Sequence, residues 1–115
     1  MKIAIASENK SEISEHFGRA KGFTIFEIIE GTAKNTGFRE NFGKSNGNCG
    51  SCNHKKMISN IKDCDFVISH GMGKKIFDDL KENNIQAIVT EEKSIQKAVE
   101  KFLKNSLKNR LDRLH

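Results

Sequence analysis

The sequence predicts an α/β domain: a mixed five-stranded sheet in the element order β-β-β-α-β-α-β-α, with one antiparallel hairpin. Three observations predict it. Short runs of β-branched and apolar residues recur between polar breaks. From Met57 onward these runs alternate with segments whose apolar residues repeat at the helical period. A length of 115 residues, with no internal repeat and no linker, fits one small domain.

Each element has its own signal. Lys2-Ile3-Ala4-Ile5-Ala6-Ser7 is an apolar run ended by polar residues and reads as the first strand. Phe23–Glu30 is β-branched and aromatic, a second strand. Gly31-Thr32 supplies a tight Gly-X turn, and residues 33–40 return as the third strand. That strand is the least apolar and is expected at a sheet edge, where Lys34, Arg39 and Glu40 discourage edge-to-edge pairing. From Asn41 to Asn53 the composition shifts to Gly, Asn, Ser and Cys, a loop long enough to suspect of function. Met57, Ile58 and Ile61 mark one face of a helix running to about Lys62. Cys64–Ser69 is the near-continuous apolar strand of a sheet buried on both faces. His70-Gly71-Met72-Gly73 turns the chain, Ile76, Phe77 and Leu80 stripe the next helix, and Ile85–Thr90 is the last strand. Ser94 can cap a final helix whose apolar positions are Ile95, Ala98, Val99, Phe102, Leu103, Leu107, Leu111 and Leu114. Continuous to the end, that helix would be about 30 Å long at roughly 1.5 Å per residue. This exceeds what a small sheet needs, so the chain divides into a domain at 1–103 and a basic helical extension at 104–115.

Composition excludes several classes. No apolar run approaches the roughly 20 residues that span a bilayer, and the first residues are too short for a signal peptide, so a membrane or secreted protein is not expected. The net charge of +5 is unevenly placed: the body is nearly neutral, while Lys101, Lys104, Lys108, Arg110 and Arg113 face only Asp112 in the tail. A nucleic-acid-binding face would need a basic stripe with exposed aromatics, which the body lacks. Three cysteines, an odd number without an export signal, favour the reducing cytoplasm over a disulfide framework.

Cys49-Gly50-Ser51-Cys52-Asn53-His54 is the sharpest local motif. Two thiolates at this spacing can grip one metal ion, and His54 can add a third ligand. Zinc wants four, so Cys64, His16 or His70 would complete the shell; iron–sulfur chemistry suits the same donors. A redox dithiol is the competing reading, since the pair precedes a helix whose dipole would lower a thiol pKa. Gly71-Met72-Gly73, between a buried strand and a helix start, lets backbone approach a ligand beside free N–H groups, with Lys74 and Lys75 next to it. His16 and His70 both lie in connections at the carboxyl ends of parallel strands, where open α/β sheets place ligands. Gly43-Lys44-Ser45 is no phosphate loop, because Phe38 stands where the first glycine is required. No nucleophile–base signature appears.

Ser14-Glu15-His16-Phe17-Gly18-Arg19-Ala20, followed by Phe23 and Phe26, resembles the dinitrogenase iron–molybdenum cofactor biosynthesis family, which includes NifX-type carriers and orange-protein relatives. Val67-Ile68-Ser69-His70-Gly71-Met72-Gly73 is similar to the family's second recurrent block, and Met1–Ala6 fits its start. The resemblance spans about residues 1–103. It implies a ribonuclease H-like three-layer fold with five strands and three helices, and a cluster carrier rather than an enzyme. Ligation by Cys49 and Cys52 remains an inference from thiolate chemistry, since that loop varies in the family.

The expectation is therefore a cytoplasmic carrier or scaffold for an iron–sulfur or iron–molybdenum–sulfur cluster, with cofactor-assembly proteins as partners. Cys49, Cys52 and His54 would ligate metal; His16, His70, Gly71, Met72 and Gly73 would line the cluster. The alternatives are a thiol redox switch or oxidoreductase using Cys49 and Cys52, and a small zinc-stabilised interaction module. The apolar half of the tail would pack on the domain or on a second copy as a homodimer. Its cationic face would meet solvent, anionic thiometallate or an acidic partner.

Overall fold

The computed structural model describes residues 1–9, 11–15, 17, 20–40 and 58–104. Its organising strand is β1 (Lys2–Ser7), buried along nearly its whole length. The strand has no polar face to offer: Ala4 and Ala6 enter one apolar cluster, and Ile3 and Ile5 enter a second on the opposite face. Such a sequence is stable only at the centre of a sheet covered on both sides.

That is where it lies. The sheet has five strands in the order β3-β2-β1-β4-β5. β2 (Gly22–Ile29) runs antiparallel to β1, with Lys2 opposite Glu27 and Ser7 opposite Gly22. β3 (Thr32–Glu40) pairs antiparallel with β2 and forms the expected edge, with a register shift between Ile25 and Phe26. β4 (Phe66–Ser69) and β5 (Gln86–Val89) add in parallel on the other side of β1. Helix α1 is described over residues 58–60; α2 spans Lys74–Glu82 and α3 spans Ile95–Leu103. Ile58, Ile61, Ile76 and Leu80 cover one face of the sheet, and Ile95, Ala98 and Val99 cover the other, giving three layers.

The observed elements depart from the sequence expectations in four places. The hairpin turn is Glu30-Gly31 rather than Gly31-Thr32, because both residues take positive φ, 49° and 78°, and Thr32 already pairs with Ile29. This is the two-residue geometry whose twist matches a hairpin. β2 starts one residue early, at Gly22, which pairs with Ser7 on one side and Glu40 on the other; the exposed ring of Phe38 lies over it, so that a Cβ there would sit 2.3 Å from Phe38 Cζ and 2.4 Å from the Arg39 carbonyl oxygen. β4 and β5 are shorter than the apolar runs suggest. Asp65 continues the ladder without strand geometry, donating to Lys2 O at 2.8 Å and accepting from Gln86 N at 3.0 Å. Finally, α3 closes at Leu103 with Lys104 as its C-cap; residues 105–115 of the expected helical extension lie outside the described residues. Its N-terminus is as expected: Ser94 is the cap, and its side chain accepts from Lys97 N at 3.4 Å.

Candidate functional site

Three connections meet at the carboxyl ends of the parallel strands. After β1 the chain makes an Asx turn, in which Asn9 Oδ1 accepts from the N–H groups of Ser11 and Glu12, both at 2.8 Å. It then folds back on its own strand, with Ser14 N donating to Ala6 O at 2.7 Å. The connection after β5 holds it from one side: Ile13 N donates to Lys93 O at 2.8 Å, and Ile95 N donates to Ser11 O at 3.0 Å. The connection after β4 holds it from the other. His70 N donates to Ser14 O at 3.2 Å, and Phe17 N donates to Gly71 O at 3.0 Å. Ser69 Oγ donates to the same Gly71 oxygen at 2.7 Å.

The two sequence blocks, one around His16 and one around His70, are therefore joined main chain to main chain. Phe17 fixes the junction from below, fully buried with its ring 5.3 Å from that of Phe23. Sheet order explains the meeting. β1 and β4 are parallel neighbours although some sixty residues separate them, so their exits lie side by side.

A cleft of about 380 Å³ opens at this junction, lined by Glu8, Glu12, Ser14, Glu15, His70 and Lys93 among others. Ser14 Oγ donates to Glu8 Oε1 at 2.8 Å and holds that carboxylate in place. Three carboxylates against one ammonium make the cleft attractive to cations. The segment from His70 to Gly73 adds an opposite tendency. α2 starts at Lys74 behind Gly73 as its N-cap, with no side-chain cap and no acidic residue in its first turn, so its amide N–H groups favour negative charge. Met72 is 1% exposed and its side chain belongs to the core, so beyond His70 the stretch from Gly71 to Gly73 offers a ligand its backbone.

The remaining predicted ligands distribute unevenly. His16, Cys49, Cys52 and His54 lie outside the described residues. Among the described residues, no group of three His, Cys, Asp or Glu side chains is arranged to hold a metal ion. Cys64 is a core residue, and burial, with the Asp63 carboxylate beside it, pushes its thiol up to about 11. The segment bearing Cys49 and Cys52 is clamped where it leaves and re-enters the described structure. Arg39 grips Asp63 with two bonds, of 2.6 and 2.9 Å, and donates to Asn60 O at 2.9 Å; Asn60 Nδ2 donates to Glu40 O at 2.7 Å.

Comparison with known proteins decides the family. The model of the dinitrogenase iron-molybdenum cofactor family matches residues 1–105. The chain belongs to this family. Proteins of the dinitrogenase iron-molybdenum cofactor family take part in the biosynthesis and carrying of that cofactor, as carriers or scaffolds. Protein MJ0580 of Methanocaldococcus jannaschii is 29% identical over 107 residues, which cover 93% of this chain and 89% of that protein. The crystal structure of PH0822 is similar at a TM-score of 0.76 and 26% identity, covering 97% of this chain and 96% of the other. The apo orange protein of Desulfovibrio gigas shares the fold at a TM-score of 0.77 and 18% identity, over 96% of this chain and 92% of its own.

Glu8, Glu12 and Lys93 join the cleft without having been singled out by sequence. Their signal is weak: Asn9 is a recognisable turn residue, but nothing local says that its loop faces a strand end sixty residues away.

Proposed function

We propose that this protein is a cytoplasmic carrier or scaffold, not an enzyme, for an iron–sulfur or iron–molybdenum–sulfur cluster, exchanged with cofactor-assembly proteins. The observation that supports it most is the joining of the His16 and His70 blocks at the carboxyl ends of β1 and β4 in a chain of this family. His16 and His70 would offer imidazole nitrogen to metal or N–H to sulfide. Gly71, Met72 and Gly73 would bring main chain and the uncapped start of α2 against the negative charge of the cluster. Cys49 and Cys52, with His54, would add the soft ligands that sulfide-bridged metals prefer, on a segment whose ends the Arg39–Asp63–Asn60 contacts hold. The carboxylates of Glu8, Glu12 and Glu15 suit metal cations and repel a bare thiometallate, so iron would enter first. We assign residues 1–103 to a ribonuclease H-like domain and 104–115 to a basic extension; the five strands and three helices support that class.

Anaerobic reconstitution with iron, molybdate and sulfide tests the reading. Wild type is expected to take up metal and sulfide with a visible absorbance, and both His70→Ala and the Cys49→Ser/Cys52→Ser pair are expected to lose most of it. Variants that load and colour like wild type would remove these residues from the site. Zinc alone in freshly purified protein would favour the zinc-stabilised module instead. A reversible Cys49–Cys52 disulfide with no bound cluster would favour the redox switch.

A further inference from the structure

At the pole opposite His70, the sheet and α3 enclose an apolar groove of about 410 Å³ that the candidate site does not use. Met1, Ile28, Phe66 and Ile88 form its sheet side; Phe102 and Leu103, from the last turn of α3, form the other. It lies at the amino-terminal ends of β1 and β4, since Met1 precedes the first strand and Phe66 opens the fourth. Phe66 and Phe102 meet edge to face at 5.1 Å, and Met1 is 52% exposed. A cleft with such walls needs a cover of matching chemistry.

α3 ends at its rim. Leu103 is the last helical residue and a wall of the groove, and the chain turns at Lys104, with φ −89° and ψ 3°. The residues that follow, 105–115, lie outside the described residues, but their sequence is informative. Leu107, Leu111 and Leu114 fall four and three residues apart, one stripe of an amphipathic segment, with Lys108, Arg110 and Arg113 between them. Wound as a helix this stretch is about 16 Å long.

We propose that residues 105–115 are the cover, seating Leu107 and Leu111 in the groove of their own chain. The tether carries the choice of occupant. Leu107 follows a groove wall by only four residues, so its local concentration there is about millimolar, as for a short flexible linker, and exceeds that of a second copy in dilute solution. Docked at this pole, the tail's cations are remote from the His70 cleft and do not gather anions for it.

The chain has no Trp and no Tyr, so Leu107→Trp is a single reporter of its own surroundings. The expected result is a blue-shifted emission and acrylamide quenching several-fold weaker than in the urea-unfolded chain, both independent of protein concentration. Adding Ile28→Lys to the groove wall should restore quenching while the far-ultraviolet circular dichroism stays native. Quenching equal to that of the unfolded chain overturns the proposal. So does shielding that survives Ile28→Lys, or shielding that grows with concentration alongside a dimer in sedimentation velocity. Leu111→Trp makes the same measurement if Leu107→Trp does not fold.

Discussion

Asp63 receives two cations at once: Arg39 through Nη1 and Nη2, and Lys2 Nζ at 3.1 Å. The Arg39 hydrogen bond, chiefly, holds its carboxyl well below the usual carboxylate range, and Asp63 raises Arg39 in return. The side chain is 45% exposed, so solvent screens the attraction and the cluster contributes about 1 kcal/mol or less. A carboxylate with a depressed folded pKa stabilises above its unfolded value of about 4, and that stability is lost as pH falls towards the folded one. Asp63→Asn is therefore expected to lose about 0.5–1 kcal/mol at neutral pH. The gap to wild type should shrink steadily below about pH 4 and in high salt. Urea unfolding across this range reads it, and a gap unchanged at pH 2.5 would show that the charge is not the source. The neighbouring thiol moves in the opposite direction. Burial, with the Asp63 carboxylate beside it, raises the Cys64 thiol to about 11, and the side chain packs in the core as a small apolar residue.

At the scale of the element, the β2–β3 hairpin separates what composition announces from what only backbone conformation decides. Alternation and β-branching located both strands, and the Gly located the turn to within one residue. The missing residue was Glu30, which takes φ 49°, a conformation that its side chain gives no reason to expect. It is drawn there because two positive-φ residues let the strands keep their twist. Gly31, at φ 78°, has open space where a Cβ would be, so Gly31→Ala tests backbone strain without steric interference. That substitution is expected to lose about 1 kcal/mol, and Glu30→Asn to gain a few tenths, since Asn tolerates the left-handed region. Thermal melts of the two single variants should move in opposite directions. A Gly31→Ala protein as stable as wild type would mean that the hairpin reaches its register by another turn. The shortening of β4 and β5 was illegible for a related reason: an apolar residue such as Ile85 is needed at the strand end for burial whether or not its backbone joins the ladder.

For the whole molecule, element order was legible because periodicity is local, whereas the cleft was not, because it is assembled by strand order. Glu8, His70 and Lys93 belong to three connections, and only the β1-β4-β5 neighbourhood brings them to one rim. The same sheet divides the core into two apolar clusters, one containing Phe17 and the other flanked by Phe102. Phe17 is fully buried and its backbone joins the two site blocks, whereas Phe102 is partly buried on the opposite face, at the opposite pole. Phe17→Ala is expected to cost about 3–5 kcal/mol and Phe102→Ala less, because the second ring leaves a smaller cavity. Only Phe17→Ala should also weaken metal and sulfide uptake in reconstitution, measured where both variants remain folded. Because the sheet separates the two rings, their stability losses should add within about 0.5 kcal/mol in the double variant. A Phe102→Ala protein that loads as poorly as Phe17→Ala would contradict this division. Coupling well beyond that margin would do the same, for it would mean that the two faces respond as one unit and that the far pole acts on the candidate site through the sheet.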